Sequence, residues 1–271
     1  MKRVCIALLF GCAMVGMAWA DGPIGAYYLT AGDQSMNWAV QGPNVILSGM
    51  QNCAPFCGGG QGEYAIALDQ TVRTLGNGNV DTIPGSEYTY GLVATGVKYP
   101  YPVQGARFYD GTQDSSHNYS VDFGAGGVYS FDQNWGSPQL LFNLNTSGLL
   151  GITYDPQNNS LWISNFEGNT VADYSLAGTL LSSFNTTFGS ISSLAMDVDG
   201  TLWMGSQSTE GTFYHFDKNG NFLGSVFYAD LASQNTLGGE ILANNAVPEP
   251  ASLTLLGTGL AGWLVRRRFR K

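Results

Sequence analysis

The chain is poor in positive charge. Of its 11 lysines and arginines, Lys2 and Arg3 open the sequence, while Arg266, Arg267, Arg268, Arg270 and Lys271 crowd its last six positions. The body between them, residues 21–246, keeps only Arg73, Lys98, Arg107 and Lys218 against nineteen acidic residues, a net charge close to −15. A phosphate backbone is held by clustered Lys and Arg, so this balance excludes nucleic acid as a partner. Cysteine and histidine are scarce as well. Cys5 and Cys12 lie near the start, leaving Cys53 and Cys57 in "NCAPFCGGG", and His117 and His215 are the only histidines. Neither histidine has partners of a Ser-His-Asp or His-metal arrangement nearby in sequence, and no G-x-S-x-G elbow is present. The glycine-rich "CGGGQG" lacks the Lys-Ser/Thr of a phosphate loop. No long stretch has helical periodicity, which excludes a helical bundle.

What is present begins with a leader. "MKRVCIALLFGCAMVGMAWA" (1–20) has a basic start, an apolar middle from Val4 to Val15, and the small-x-small site Ala18-Trp19-Ala20, the order of a secretory signal peptide. Cys12 after Gly11 offers a lipoprotein alternative, but Phe10 is bulky and the apolar run before Cys12 is short. Export into an oxidising compartment favours a Cys53–Cys57 disulfide, with free thiols or metal ligation as the alternatives. Its short loop limits the entropic stabilisation to about 2 kcal/mol.

The body is a repeat. "NSLWISNFEGNTVADYSLAGTLLSSF" (159–184) lines up with "GTLWMGSQSTEGTFYHFDKNGNFLGSVF" (200–227), matching Trp162 with Trp203 and Tyr174 with Phe216. An earlier copy, "HNYSVDFGAGGVYSFDQNWGSPQLLF" (117–142), places Tyr119 and Phe131 at the same two positions. Asp69, Asp110, Asp155 and Asp197 recur at separations of 41, 45 and 42. A period of 40–45 residues holding four short strands predicts an all-β fold, a β-propeller. Segments starting near 62, 105, 149 and 190 make four blades. "GAYYLTAGDQSMNWAVQGPNVILSG" (25–49) supplies three strands of a fifth, and "NTLGGEIL" (235–242) supplies its inner strand. The expectation is therefore five blades, closed by pairing of the N- and C-terminal strands, with six as the alternative because 50–104 repeats poorly.

"LAMDVDGTLWMG" (194–205) and "ITYDPQNNSLWIS" (152–164) resemble the strand-Asp … Gly-x-Leu-Trp rhythm of NHL-type and gluconolactonase-like propellers. The resemblance covers residues 105–230 and specifies a fold more than an activity. Four aspartates at one blade position would stand near one rim of the central channel. That makes Asp69, Asp110, Asp155 and Asp197 candidate calcium ligands, since calcium takes six to eight oxygens. The competing reading has each carboxylate accepting backbone N–H bonds in its own hairpin. "DKNGN" (217–221) and "DVDG" (197–200) read as hairpin turns, since neither continues to the bidentate Glu of a calcium loop. The repeating aromatics are expected to pack between blades. Trp38 and Trp135, outside that register, are the candidates for carbohydrate stacking.

The chain ends "VPEPASLTLLGTGLAGWLVRRRFRK" (247–271). Pro248-Glu249-Pro250, the apolar segment 251–265 and the basic residues 266–271, with Arg266, Arg267 and Arg268 at their head, resemble a PEP-CTERM sorting signal. That resemblance implies a short transmembrane helix at 251–265, recognition by an exosortase-type enzyme, and export to a surface associated with exopolysaccharide. About fifteen apolar residues are short of the ~20 that span comfortably. A permanent tail anchor is the alternative to cleavage. The domain expectation is signal peptide 1–20, propeller 21–246 and sorting signal 247–271. The functional expectation is a non-enzymatic binding or scaffolding protein with no cofactor and no catalytic residue. The alternative is a calcium-dependent, lactonase-like hydrolase.

Overall fold

The computed structural model describes residues 22–31, 36–50, 62–76 and 84–242. The leader, Cys53 and Cys57, and the tail with Pro248, Glu249, Pro250 and its arginines lie outside the described residues. Among the described residues, twenty strands form five four-stranded antiparallel sheets. Blade I consists of β1 (Tyr27–Ala31), β2 (Met36–Gln41), β3 (Asn44–Met50) and, as its inner strand, β20 (Thr236–Ile241). Blade II holds β4 (Glu63–Leu68), β5 (Val72–Gly76), β6 (Gly85–Tyr88) and β7 (Ala94–Tyr99). Blade III holds β8 (Phe108–Gln113), β9 (His117–Asp122), β10 (Gly127–Asp132) and β11 (Gln139–Asn143). Blade IV holds β12 (Leu149–Asp155), β13 (Ser160–Asn165), β14 (Thr170–Ser175) and β15 (Leu180–Asn185). Blade V holds β16 (Ile191–Met196), β17 (Leu202–Ser206), β18 (Thr212–Phe216) and β19 (Phe222–Phe227).

The five-bladed count holds, and the ring closes where the sequence places its closure. β20 pairs with β1, setting Ile241 opposite Tyr27 and Glu240 opposite Tyr28. The strands form because short runs rich in Val, Ile, Leu and aromatics alternate with residues that turn the chain. Gly178, Gly200 and Gly220 sit in three of the hairpin turns at φ of 81°, 83° and 82°, a region closed to most side chains.

A single meander cannot bury both of its faces, so each blade needs neighbours. Five hydrophobic clusters result, each drawn from two adjacent blades. Tyr28 and Ala39 meet Ile66 and Tyr88 across blades I and II. Leu75 meets Phe108 and Trp135 across II and III. Val121 meets Ile152 and Leu161 across III and IV. Trp162 meets Leu194 and Phe216 across IV and V. Tyr27 and Leu29 meet Trp203 and Phe213 across I and V, which shuts the ring. The repeat aromatics lie in these seams, with Tyr119, Trp162 and Trp203 opposite Thr112, Thr153 and Ala195 of their inner strands. Trp135 is also a seam residue, fully buried beside Phe131. Trp38 packs against the I–V seam. The full burial of Trp135 corrects its reading as a carbohydrate platform, while Trp38 is only partly buried.

Candidate functional site

The inner strands β4, β8, β12, β16 and β20 converge on the axis, and their backbones approach closely there. A Cβ at Gly238 would stand 2.3 Å from the Tyr64 carbonyl and 2.8 Å from that of Tyr109. At this level Asp110 crosses the axis. Its Oδ1 accepts the N–H groups of Gly111 and Gly239 at 2.9 and 2.8 Å. Its Oδ2 accepts those of Ile152 and Leu194 at 3.1 and 3.0 Å. One fully buried carboxylate therefore ties the inner strands of four blades, III, I, IV and V. Burial pushes its carboxyl well above the usual range, the Gly239 and Ile152 N–H groups pull it back, and nearby Glu240 raises it.

Glu240, from β20, is the second acid on the axis. Its Oε1 accepts from the Ile241 N–H at 3.0 Å and the Thr153 hydroxyl at 3.5 Å. Its Oε2 is buried without a hydrogen-bond partner. Burial raises the Glu240 carboxyl to about 8, opposed by the nearby Thr112 hydroxyl and by the Ile241 N–H.

The expected ring of four equivalent aspartates needs one correction. Asp155 closes its hairpin opposite Ser160. The Asp69 and Asp197 N–H groups close theirs onto the Thr71 and Thr201 carbonyls. In blade III that place belongs to Asp114, whose N–H bonds the His117 carbonyl. Asp110 stands four residues earlier, within β8. The strand-end series is thus 69, 114, 155 and 197. Each of these acids is engaged locally. Asp114 accepts from the N–H groups of Ser116 and His117 and from the Tyr119 hydroxyl, at 2.6–2.7 Å. Asp155 accepts from Gln157 N–H at 2.9 Å and pairs with Lys218 of the neighbouring blade at 2.6 Å. Asp197 binds Ile24 N–H, Gly25 N–H and the Trp203 indole N–H at 2.7–3.1 Å. Asp69 pairs with Arg73 at 2.9 Å. Among the described residues, no three His, Cys, Asp or Glu side chains come together as a metal site. The four expected ligands have separate tasks: Asp69 pairs with Arg73 beside its hairpin, Asp155 serves its hairpin and the neighbouring blade, Asp197 holds the N-terminal segment, and Asp110 ties the axis.

The histidines also stand apart. His117 is half-exposed at the start of β9, 3.8 Å from Asp114. His215 stacks on Trp203 with ring centres 4.3 Å apart, and its Nε2 lies 2.7 Å from the Thr201 hydroxyl. Two polar groups have little or no signature in the sequence. Glu63 is fully buried inside blade II and accepts from the Thr74 and Tyr88 hydroxyls at 2.6 and 2.7 Å. Ser86 donates to the same carboxylate, and Lys98 Nζ lies 2.6 Å from the Ser86 oxygen. Ser86 is only 1% exposed, so this Ser-Lys pair stitches a blade together and presents no accessible nucleophile. The other such group is Glu240. Its one sequence signal is an acid inside the otherwise uncharged "TLGGEIL".

Comparison with known proteins agrees with this geometry. Residues 246–268 match the PEP-CTERM protein-sorting motif. No curated protein matches the chain. Among solved structures, a nidogen/laminin complex is similar over 80% of this chain and 98% of that one, at 10% identity and a TM-score of 0.54. A protein of unknown function from Bacteroides caccae is similar over 77% and 74%, at 10% identity and a TM-score of 0.50. A calcium-binding regucalcin from Agrobacterium tumefaciens covers 87% of each chain at 14% identity, with a TM-score of 0.48. At these identities the first two likenesses are ones of fold alone. The chain joins a five-bladed β-propeller to a C-terminal PEP-CTERM protein-sorting motif.

Proposed function

We propose that the propeller is a surface-directed binding or scaffolding protein of a polysaccharide-containing matrix, released from a transient C-terminal anchor by an exosortase that cuts near Pro248-Glu249-Pro250. The observation that carries this reading is the sorting motif at residues 246–268. A body with a net charge close to −15 and few basic residues suits solubility and loose cation association at a surface. A binding role is favoured over hydrolysis because the carboxylates on and around the axis are engaged in backbone and ion-pair contacts that build the ring.

The test uses the protein recovered from its own cells. Intact mass establishes whether the C-terminal residues have been removed, and retention on the purified exopolysaccharide of those cells measures matrix binding. A trimmed chain that is retained supports the reading. Tight stoichiometric calcium together with turnover of lactones or esters would sink it in favour of a calcium-dependent hydrolase.

A further inference from the structure

Blades IV and V meet along an apolar seam in which Trp162 packs with Leu194 and Phe216. At the rim of this seam Lys218, from the β18–β19 turn, reaches across to Asp155 at the end of β12, with its Nζ 2.6 Å from Oδ2. Lys218 is one of only four basic residues in the body. The Asp155 side chain is fully buried, and that of Lys218 is 22% exposed. The pair is fixed from several sides. The Gln157 N–H donates to Asp155 Oδ1 at 2.9 Å, Asn158 Nδ2 donates to Oδ2 at 3.2 Å, and Lys218 also donates to Gln157 Oε1 at 3.1 Å. A second carboxyl belongs to the same cluster. Asp173 of β14 is 2% exposed, stands opposite Trp162 in the β13–β14 ladder, and has its Oδ1 buried without a hydrogen-bond partner. Burial raises the Asp173 carboxyl; the Asp155 charge raises it further and the Lys218 charge lowers it, so all three groups act on one another. An ordinary ion pair has no use for such a neighbour, because a buried carboxyl with an idle oxygen costs stability.

We propose that Asp155 and Lys218 condense into an intramolecular isopeptide bond, a covalent staple between blades IV and V, with Asp173 carrying the protons. Lys218 first passes one proton to Asp155 Oδ2, leaving a free amine and a neutral carboxyl. The amine lone pair then forms the Nζ–Cγ bond, and negative charge gathers on Oδ1, where the Gln157 N–H already points. Asp173 gives its proton to the Oδ2 hydroxyl. The Cγ–Oδ2 bond breaks, its electron pair leaves with the oxygen as water, and Oδ1 becomes the amide carbonyl. Asp173 recovers a proton from Nζ and ends as it began. The ammonium and the carboxylate have become one amide and one water, with no oxidant and no cofactor. The fold places the reacting groups in contact, so no approach entropy is left to lose. The amide also removes two charges from a dry site, where an ion pair is costly to keep. The exposed part of Lys218 opens the way out for the water.

Intact mass of the full chain, unfolded in denaturant, reads the bond directly. The expected mass is one water lighter than the chain's own termini require, and trypsin should spare Lys218 in the unfolded chain. Lys218→Arg keeps the positive charge but offers a guanidinium that does not attack a carboxyl, so it should restore the full mass. Asp173→Asn keeps the size and removes the proton carrier, so it should restore both the full mass and cleavage after Lys218. Far-ultraviolet circular dichroism checks that each variant folds. Should Asp173→Asn misfold, the parent and Lys218→Arg masses still decide whether the bond exists. A parent chain of full mass overturns the proposal. So does a water loss that persists in Lys218→Arg, the result expected of cyclisation at Asp110-Gly111 or Asp199-Gly200, or one that persists in folded Asp173→Asn.

Discussion

The Asp110 Oδ1 and the Gly239 N–H lie 2.8 Å apart, although 129 residues separate them in the chain. This bond and the three others made by the same carboxylate join blade III to the inner strands of blades I, IV and V. The axis of the propeller is therefore held by a side chain, and β20 is fixed both by its ladder with β1 and by this bond.

Asp110→Ala should be among the most damaging single changes. It strands the buried N–H groups of Gly111, Ile152, Leu194 and Gly239, and a buried donor left unsatisfied costs about 1–3 kcal/mol. Asp110→Asn should fare little better, because its NH2 would face two N–H donors. Urea denaturation measures both. A stability within about 1 kcal/mol of the parent would show that Asp110 does not organise the axis.

Glu240 makes stability fall as pH rises. In the unfolded chain it ionises near its ordinary 4.5, whereas burial keeps it protonated in the fold up to about 8. Between those values the native state binds more protons, so raising the pH favours unfolding. Each pH unit crossed in that window costs at most about 1.4 kcal/mol, and the loss between pH 5 and pH 8 reaches a few kcal/mol. Asp114 and Asp132 act in the opposite sense below pH 4. Burial raises both, but hydrogen bonds, from Tyr119 to Asp114 and from the Gly136 N–H to Asp132, outweigh it and leave them lowered. Melting temperature should peak on the acid side of neutrality, and Glu240→Gln should flatten its decline between pH 5 and 8.

Gly238→Ala tests how tightly the inner strands meet. The added Cβ falls 2.3 Å from the Tyr64 carbonyl, and backbone cannot yield as a flexible side chain can. Overpacking of this kind costs about 1–3 kcal/mol. Gly91→Ala is the control: its Cβ would meet only the Thr89 hydroxyl at 3.5 Å, so thermal unfolding should be unchanged or slightly later.

Glu249→Ala should block processing while leaving the propeller intact. The triplet lies within the matched 246–268 motif and outside the described fold. The variant should keep its C-terminal residues, measured by intact mass, and remain with the membrane fraction, with an unchanged melting temperature once solubilised.

Much of the fold was legible because a propeller writes its architecture as a local repeat. Trp162 and Trp203 mark the same strand of successive blades, and the turn glycines mark the hairpins between strands. The orphan strand "NTLGGEIL" revealed the closure, since an inner strand without its own blade has only the incomplete first sheet to complete. The aspartates misled at one point. Strand ends are invisible in sequence, so Asp110 looked like a member of the series. The distance to the following aromatic separates the cases: Asp114 precedes Tyr119 by five residues and Asp197 precedes Trp203 by six, whereas Asp110 precedes Tyr119 by nine.

The sequence alone determined the repeat, the pairing of the body's first and last strands, and the sorting signal, because each rests on order and spacing along the chain, while the choice of five blades over six came from the structure. Tertiary structure decided which groups reach the axis and which charges meet between blades. Asp110 and Glu240 meet there only because five inner strands converge from distant parts of the chain. Asp155 and Lys218 touch only because the ring sets blades IV and V side by side. Periodicity sets the position of each strand in its blade, while a shared environment at the axis or the rim arises when the ring closes and buries one set of side chains against another.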